Sequence, residues 1–467
     1  MAAPIFSSTD EGRSKMKERV NCILIVIDTL RADHLGCYGY FRDTSPHLDR
    51  LAEAGVLFRN FHATAIPTGP GFTSIITGLS PIHHRFYLTP WNLPNLIDFD
   101  DSIPTLPQLI QEEIGGYTTA AFDNLINFSS PMDQFVRGFE YYVNPSRTAK
   151  PIHHHLLGGE VNERLIPWLR EHAEEPFFLF VHYWDPHTPY NQPPQFRTIF
   201  QHQPGNLEDL EVRDALAGYS YVPGWGKVGE IWEPQPAESR LTIDLYDGEI
   251  RYVDSLIGEL VETLKGLGLV DRTLLFITSD HGEQLGQHGT YDHRMLHEAV
   301  AFVPLIIWGP GLMPQGQAVE GYLQQADIAP TILSLLGAEK GNLPCFDGTD
   351  LLPLIEGQGE ARSEMFMEDH EYRAVVQGKW KYMRNYFRGA EELYDLESDP
   401  VEVVNLARKE GARLERMRSR LAEWVQENLG QELDPMWEQM ARWAAKWTAT
   451  FGTDMPDLMP RPTIVES

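Results

Sequence analysis

No run of apolar residues in this chain approaches the length of a membrane span, so no segment is suited to crossing a bilayer as a helix. Cysteine is scarce. Cys22, Cys37 and Cys345 form neither an even disulfide set nor a metal-ligand spacing, which favours a reducing compartment. Met1 to Asn21 is polar and charged without an apolar core; it does not read as a signal peptide, and the sequence predicts a cytoplasmic protein. Positive charge is short: 38 Lys+Arg face 67 Asp+Glu, a net charge of -29. Such a chain repels polyanions, so neither nucleic acid nor an anionic membrane is an expected partner. A small anionic substrate would need local compensation, which bound cations supply. Internal repeats and low-complexity tracts are absent too, which excludes solenoid architectures.

What remains is a chain of 467 residues with 42% hydrophobic content, too long for one core; we expect one large domain and one smaller. Strand-like and helix-like stretches alternate over the first 335 residues, the pattern of a parallel sheet covered by helices. The strands are Cys22–Ile27, Thr118–Phe122, Phe177–His182, Leu274–Thr278 and Val303–Ile307. Amphipathic stretches lie at Ser102–Ile114, Leu156–Ala173 and Leu241–Lys265. In the last of these, Ile243, Ile250, Val253, Leu256, Ile257, Leu260, Val261 and Leu264 recur at helical spacing and predict core. The expected fold is three-layer α/β/α over residues 1–340, with a mostly parallel sheet. A long Pro- and Gly-rich insertion at 191–239 lies beside the site as lid or interface. A small α+β domain follows at 341–430, with strands Arg373–Gln377 and Lys379–Asn385 and a charged helix Glu410–Leu429. The tail, 431–467, carries Trp437, Trp443 and Trp447 and predicts docking onto the body or a homo-oligomer.

Two apolar strands end in metal-type ligands. Cys22–Ile27 runs into Asp28, and Leu274–Thr278 runs through Ser279 into Asp280-His281. In an open parallel sheet such endings meet at the carboxyl edge, where sites form. Carboxylate oxygen together with imidazole nitrogen suits Zn or Mn. The bland alternative is that each Asp caps the following helix.

Three ordered motifs carry a family resemblance. Asp28-Thr29-Leu30-Arg31-Ala32-Asp33-His34-Leu35-Gly36-Cys37-Tyr38-Gly39, Ser279-Asp280-His281-Gly282-Glu283, and Glu392-Leu393-Tyr394-Asp395-Leu396 with Asp399-Pro400 and Asn405-Leu406 together resemble the sulfatase-like branch of the alkaline phosphatase superfamily. The resemblance covers about Asn21 to Leu429 and implies the same α/β fold with a small C-terminal sheet domain. It says much less about substrate. Sulfatases of this branch carry Cys-x-Pro-Ser-Arg before a Thr-Gly pair, and that Cys becomes formylglycine. Aligned on Thr77-Gly78, this chain reads Thr68-Gly69-Pro70-Gly71-Phe72: Cys is replaced by Thr68 and Arg by Phe72. Formylglycine chemistry is not available here. A threonine at this place resembles the nucleophile of the branch's phosphodiesterases and phosphomonoesterases.

The resemblance then implies Asp28, Asp280 and His281 as metal ligands with Thr68 as the fourth, opening a turn into a helix at Phe72–Thr77. Coordination would lower the pKa of the hydroxyl, and the helix N-terminus would favour an anion; capping is the competing role for Thr68. Asp185-Pro186-His187 matches an anion-contacting segment, and His293 stands where sulfatases have Lys. Asp185, His187 and His293 are therefore candidate ligands for a second divalent ion, although the phosphatases space such ligands four apart and here the spacing is two. In the alternative there is one ion, and His187 and His293 donate to phosphoryl oxygens. Asp123-Asn124 replaces a family Gly-Lys pair, with Asn124 a candidate donor to the substrate. His84, Asp254 and Asp327 match family positions and read as structural. The expected cofactor is Zn or Mn, one or two ions per chain, with Ca, the sulfatase-type ion, less favoured.

The expected reaction is metal-dependent hydrolysis of a phosphodiester or phosphonate monoester through a phospho-threonine. The alternatives are a sulfatase working without formylglycine, a phosphoryl or sulfuryl transferase, and a non-catalytic binding protein. Retention of Asp28, Thr68, Asp280 and His281 argues against the last.

Overall fold

The computed structural model describes residues 19–87, 99–123, 125, 133–145, 156–200, 239–291 and 293–452. Asn124, residues 201–238 of the insertion and the His153-His154-His155 triplet lie outside them. In chain order the strands are β1 (Asn21–Ile27), β2 (Val56–Phe58), β3 (Phe61–His62), β4 (Thr118–Phe122), β5 (Tyr141–Val143), β6 (Phe177–Tyr183), β7 (Thr273–Thr278), β8 (Leu305–Trp308), β9 (Gln317–Val319), β10 (Leu323–Gln324), β11 (Glu364–Glu368), β12 (Tyr372–Gln377), β13 (Trp380–Asn385) and β14 (Glu391–Asp395). The longer helices are α1 (Pro46–Glu53), α2 (Thr68–Thr77), α3 (Gly158–Glu171), α4 (Ser239–Gly266), α5 (Ile328–Leu335), α6 (Gly411–Leu429) and α7 (Pro435–Phe451).

Eight strands form the main sheet in the order β5-β4-β6-β1-β7-β8-β2-β9. Pairing is parallel throughout except at β8, which runs against both β7 and β2. β1, all seven residues buried, shows why the sheet needs covering on both faces. Its alternate residues Cys22, Leu24 and Val26 enter one core, with Phe72 and Ile75 of α2 and Ile328 and Ile332 of α5. Ile23, Ile25 and Ile27 enter the other, with Leu48 of α1, Val161 and Leu165 of α3, and Ile250, Val253 and Ile257 of α4. This period-two division is the geometry of a strand buried on both faces, and the architecture is α/β/α. All eight α4 positions expected in the core are buried, each such side chain stabilising by about 1.5–3 kcal/mol.

Prolines moved two boundaries. The expected helix Ser102–Ile114 is helical only from Leu106, with Thr105 and Gln108 forming its capping box and a wider turn at Ile110–Ile114. Pro104 disfavours helical backbone in the residue before it. Likewise β8 begins at Leu305 rather than Val303, because Pro304 has no N–H to give the ladder. Strands β2, β3, β5, β9 and β10, of two or three residues each, are too short to show a period.

The second unit is an antiparallel sheet, β11 to β14 in sequence order. Met417 and Leu421 of α6 pack onto Val375, Tyr382 and Leu393 of this sheet. In the tail, α7 buries Met436, Met440 and Trp443 against Tyr87 and Phe387, and Trp437 meets Phe387 edge to face. Asp434 caps α7 through Met436 N and also grips the Arg373 guanidinium. The described tail therefore docks onto the body of its own chain. The Trp447 side chain lies outside the described residues. No helix among the described residues is long and apolar enough to cross a membrane.

Candidate metal and nucleophile site

Four neighbouring strands, β4, β6, β1 and β7, end at one edge of the sheet, and the residues there are Asp123, His182, Asp28 and Asp280-His281. Oxygens of Asp28 and Asp280 and a nitrogen of His281 lie within 4.8 Å of one another, all buried. Donors about 2 Å from one ion stand at most about 4 Å apart, so this set needs only small side-chain shifts to close on an ion. Asp280 Oδ1 accepts the N–H groups of Thr29 (3.1 Å) and His281 (2.8 Å). Both Asp28 oxygens and Asp280 Oδ2 receive no well-aligned hydrogen bond from the described residues. Buried carboxylate oxygens left this way cost energy unless a cation completes them; the donor set fits a divalent ion.

Thr68 opens α2, with Pro67 at the cap position and no side-chain capping bond. The helix thus starts at Thr68 and not at Phe72, and the Thr68 hydroxyl is not used as a cap. Its Oγ1 lies instead 3.1 Å from His281 Nε2. His281 Nδ1 is 2.9 Å from Gly282 O. A carbonyl only accepts, so Nδ1 carries the proton and the Nε2 lone pair faces Thr68 and the carboxylates. Gly71 permits this closeness: a Cβ there would lie 3.1 Å from Ala65 O and 3.2 Å from Asp280 O. Gly282 is similarly required, since a Cβ would come within 2.3 Å of Ala299 O.

The loop after β1 is held in an uncommon shape. Thr29, a β-branched residue, sits at φ 57°, a conformation costing on the order of 1–3 kcal/mol. Tyr246 of α4 donates to Thr29 O at 2.6 Å, and Ser279 Oγ accepts Leu30 N–H at 2.9 Å. Gln325 donates to the carbonyls of Ser279 (2.7 Å) and Asp280. These contacts fix both ligand-bearing turns.

The other candidates divide. His293 stacks on His281 with ring centroids 4.5 Å apart, and His187 lies 5.2 Å from His293, so the three imidazoles make a row beside Thr68. His293 Nδ1 is 3.3 Å from Glu283 Oε2, and His187 Nδ1 donates to Thr188 O. Asp185 is not brought to them. Its Oδ2 accepts the Gly158 N–H at 2.6 Å, and its carboxyl neighbours that of Glu249 on α4, where burial first and the shared negative charge next push Glu249 upward. The expected second ligand set of Asp185, His187 and His293 therefore does not assemble: among the described residues the set of three or more is Asp28, Asp280 and His281. Asn124 lies outside the described residues. His84 is satisfied within its own segment, by Ser74 Oγ at 3.2 Å and Phe86 N at 3.1 Å, and burial lowers it to about 3. Asp254 caps α1 through the N–H groups of His47 and Leu48, and Asp327 holds Gln324 N and Thr349 N; both are structural.

Sequence reasoning missed His182 and Asp123. His182, fully buried, has Nδ1 2.7 Å from Asp123 Oδ1 and Nε2 3.4 Å from Asp28 Oδ2. Burial alone lowers this imidazole, but the two carboxylates outweigh it and raise it to about 9. Burial and then the Asp280 charge push Asp28 upward, and burial raises Asp280 to about 6. The signal was available: Phe177–His182 is a strand ending in imidazole, the same pattern that singled out Asp28 and Asp280.

The chain matches the family model described as Sulfatase over residues 20–338. A second model, N-sulphoglucosamine sulphohydrolase C-terminal, matches residues 286–429. Among curated relatives, a choline-sulfatase of Rhizobium meliloti is 27% identical over 419 residues, covering 78% of this chain and 77% of that protein. The multifunctional alkaline phosphatase superfamily protein PehA of Trinickia caryophylli is 27% identical over 486 residues, covering 83% and 91%. Among solved structures, the phosphonate monoester hydrolase of Agrobacterium radiobacter superposes with a TM-score of 0.70 at 23% identity, covering 88% of this chain and 96% of that one.

Proposed function

Because this chain belongs to the sulfatase family, its reaction is hydrolysis of an ester bond, and we propose that the ester is a phosphodiester or phosphonate monoester opened by Thr68. One observation carries the reading: the Thr68 hydroxyl, free of capping, stands 3.1 Å from His281 Nε2 at the edge of the Asp28, Asp280 and His281 group. No cysteine occupies that segment. Asp28, Asp280 and His281 would hold one divalent ion. Two carboxylates and one imidazole suit Zn or Mn better than Ca, which prefers an all-oxygen shell. Such an ion, when bound, lowers the pKa of a coordinated hydroxyl and stabilises charge on non-bridging oxygens.

The chain's own residues do the rest. Thr68 attacks phosphorus in line as the bond to the leaving oxygen breaks, giving a phospho-threonine that water hydrolyses from the opposite side. The N-terminus of α2, whose first residue is the nucleophile, adds positive potential. His187 and His293, in the row beside His281, are the candidate contacts to the non-bridging oxygens. The small anionic ester is the sole partner in this reading.

The second reading is a sulfatase that uses Thr68 directly, favoured by relatives with sulfatase names. Its difficulty is the sulfated threonine, which lacks the hemiacetal route by which formylglycine releases sulfate. The test is kcat/KM of metal-reconstituted protein for matched aryl phosphodiester, phosphonate monoester, phosphomonoester and sulfate monoester substrates. Preference for a phosphorus ester supports the first reading; preference for the sulfate ester replaces it with the second.

A further inference from the structure

The Asp28 carboxylate is approached from the side opposite Asp280 by a three-residue chain that crosses three strands. Val26 of β1 pairs with His182 of β6, so Asp28, two residues on, projects to the same face as His182. Phe122 of β4 pairs with Val181, which sets Asp123 level with His182 on its other side. Asp123 is an acceptor on both oxygens: Oδ2 takes the Tyr142 hydroxyl (2.5 Å) and Leu125 N–H (3.0 Å), and Oδ1 lies 2.7 Å from His182 Nδ1. His182 Nδ1 therefore donates. Its Nε2 faces Asp28 Oδ2 at 3.4 Å. Phe72 and Trp184 wall the ring, with centroids 4.7 and 4.9 Å away, and His182 is 0% exposed. Two departures from the sulfatase pattern meet here. Phe72 stands at the family's Arg and Asp123 at the Gly of its Gly-Lys pair, and both touch this one imidazole.

We propose that Asp123 and His182 form a positioning arm for Asp28: Asp123 fixes the imidazole, and the ring edge, 3.4 Å from Asp28 Oδ2, backs that oxygen so that the carboxylate presents the other toward Asp280 and His281. This rests on the reading of Asp28 as a metal ligand. His182 Nε2 falls outside the Asp28, Asp280 and His281 group, so the arm assigns it a role through Asp28. Outer partners of this type are what fix a ligand's direction, and their removal typically weakens metal binding by about 10–100-fold.

The experiment compares wild type, H182A, H182Q, D123N and H182A/D123N in chelator competition for Zn and for Mn, with thermal melting of each protein metal-free and loaded. We expect H182A and D123N each to weaken binding by about 10–100-fold with the stoichiometry unchanged. H182Q, which keeps a polar side chain of similar reach, should recover part of the loss, and the double variant should be no worse than H182A. A folded H182A or D123N that binds as tightly as wild type overturns the arm, even with a lowered melting temperature, because a merely structural role moves stability alone. Additive losses in the double variant also overturn it, since Asp123 would then act independently. D123N is isosteric and decides the matter if H182A does not fold. Wild type without divalent affinity would instead overturn the metal reading, and the arm with it.

Discussion

At the carboxyl edge of the large sheet, Asp28 and Asp280 are buried with three oxygens that receive no well-aligned hydrogen bond. At the seam with the small sheet, charge is buried just as deeply but meets lysine and arginine. Lys381 lies 2.7 Å from Glu298 and 2.9 Å from Glu402, and Arg373 lies 2.7 Å from Glu368 and 2.5 Å from Asp434. Glu368 also accepts from Ile82 N and Tyr87, tying the segment after α2 to β11. Both regions bear the desolvation cost of buried ions. At the seam lysine and arginine offset it; at the sheet edge His182 backs Asp28 on one side, and the space shared by Asp28, Asp280 and His281 holds no lysine or arginine among the described residues. The difference teaches that burial of charge is not by itself a mark of a site. What separates the two is whether a lysine or arginine of the chain meets the carboxylates.

Four expected outcomes sharpen or break this contrast. The largest is for T68A, which should lower kcat by about 1,000-fold or more while leaving divalent affinity within an order of magnitude; near-normal turnover in steady-state kinetics would remove the nucleophile. Next, D28N should weaken Zn and Mn binding beyond the 10–100-fold typical of outer partners, yet leave the metal-free protein as stable as wild type or more so, since it deletes a poorly paired buried charge. Chelator competition and denaturant melts read both halves. K381M is the mirror image: about 3–5 kcal/mol of stability should be lost by stranding Glu298 and Glu402, with metal affinity unmoved. Equal loss of stability in D28N and K381M would erase the distinction.

The smallest effect concerns Asp185 and Glu249. Burial raises Asp185, and burial together with the Asp185 charge raises Glu249. A carboxyl whose folded pKa lies above its unfolded value holds its proton longer when folded. The stability this supplies is present at low pH and lost as pH climbs through the folded values. E249Q keeps an acceptor for Gln192 N but deletes the charge. Its stability relative to wild type should therefore grow, by about 1–2 kcal/mol, between pH 5 and pH 9 in melts at several pH values; a pH-independent difference would show that the pair does not share its protons.

Long or two-sided buried elements were legible from the residues alone. The central strands β1, β4, β6 and β7 read as strand-like apolar runs and helix α4 as a helical period, and Asp28 and Asp280-His281 follow directly from how two strands end. What sequence could not supply is strand order. Asp123, His182 and Asp28 are 59 and 154 positions apart in neighbouring pairs, and only the placement β4-β6-β1 brings them into line. The same limit explains Asp185: it follows the right strand, but Gly158 at the start of α3 competes for its oxygen. Thr68 was found through resemblance, and its freedom from capping depends on where α2 begins, which Pro67 and the approach of Gly71 to Asp280 decide together.

The central position of β1, between β6 and β7, has a consequence for biosynthesis. Thr29 N and Asp280 Oδ1 meet across 251 positions, so a nascent chain carries Asp28 for about 12–50 s at ordinary translation speeds before β7 exists to pair with it. During that interval β6 can pair with β1 and bring His182 to Asp28, while Asp280 and His281 are still missing. For the ion proposed here, capture would then be a late event that follows closure of the sheet, because Asp280 and His281 arrive only with β7.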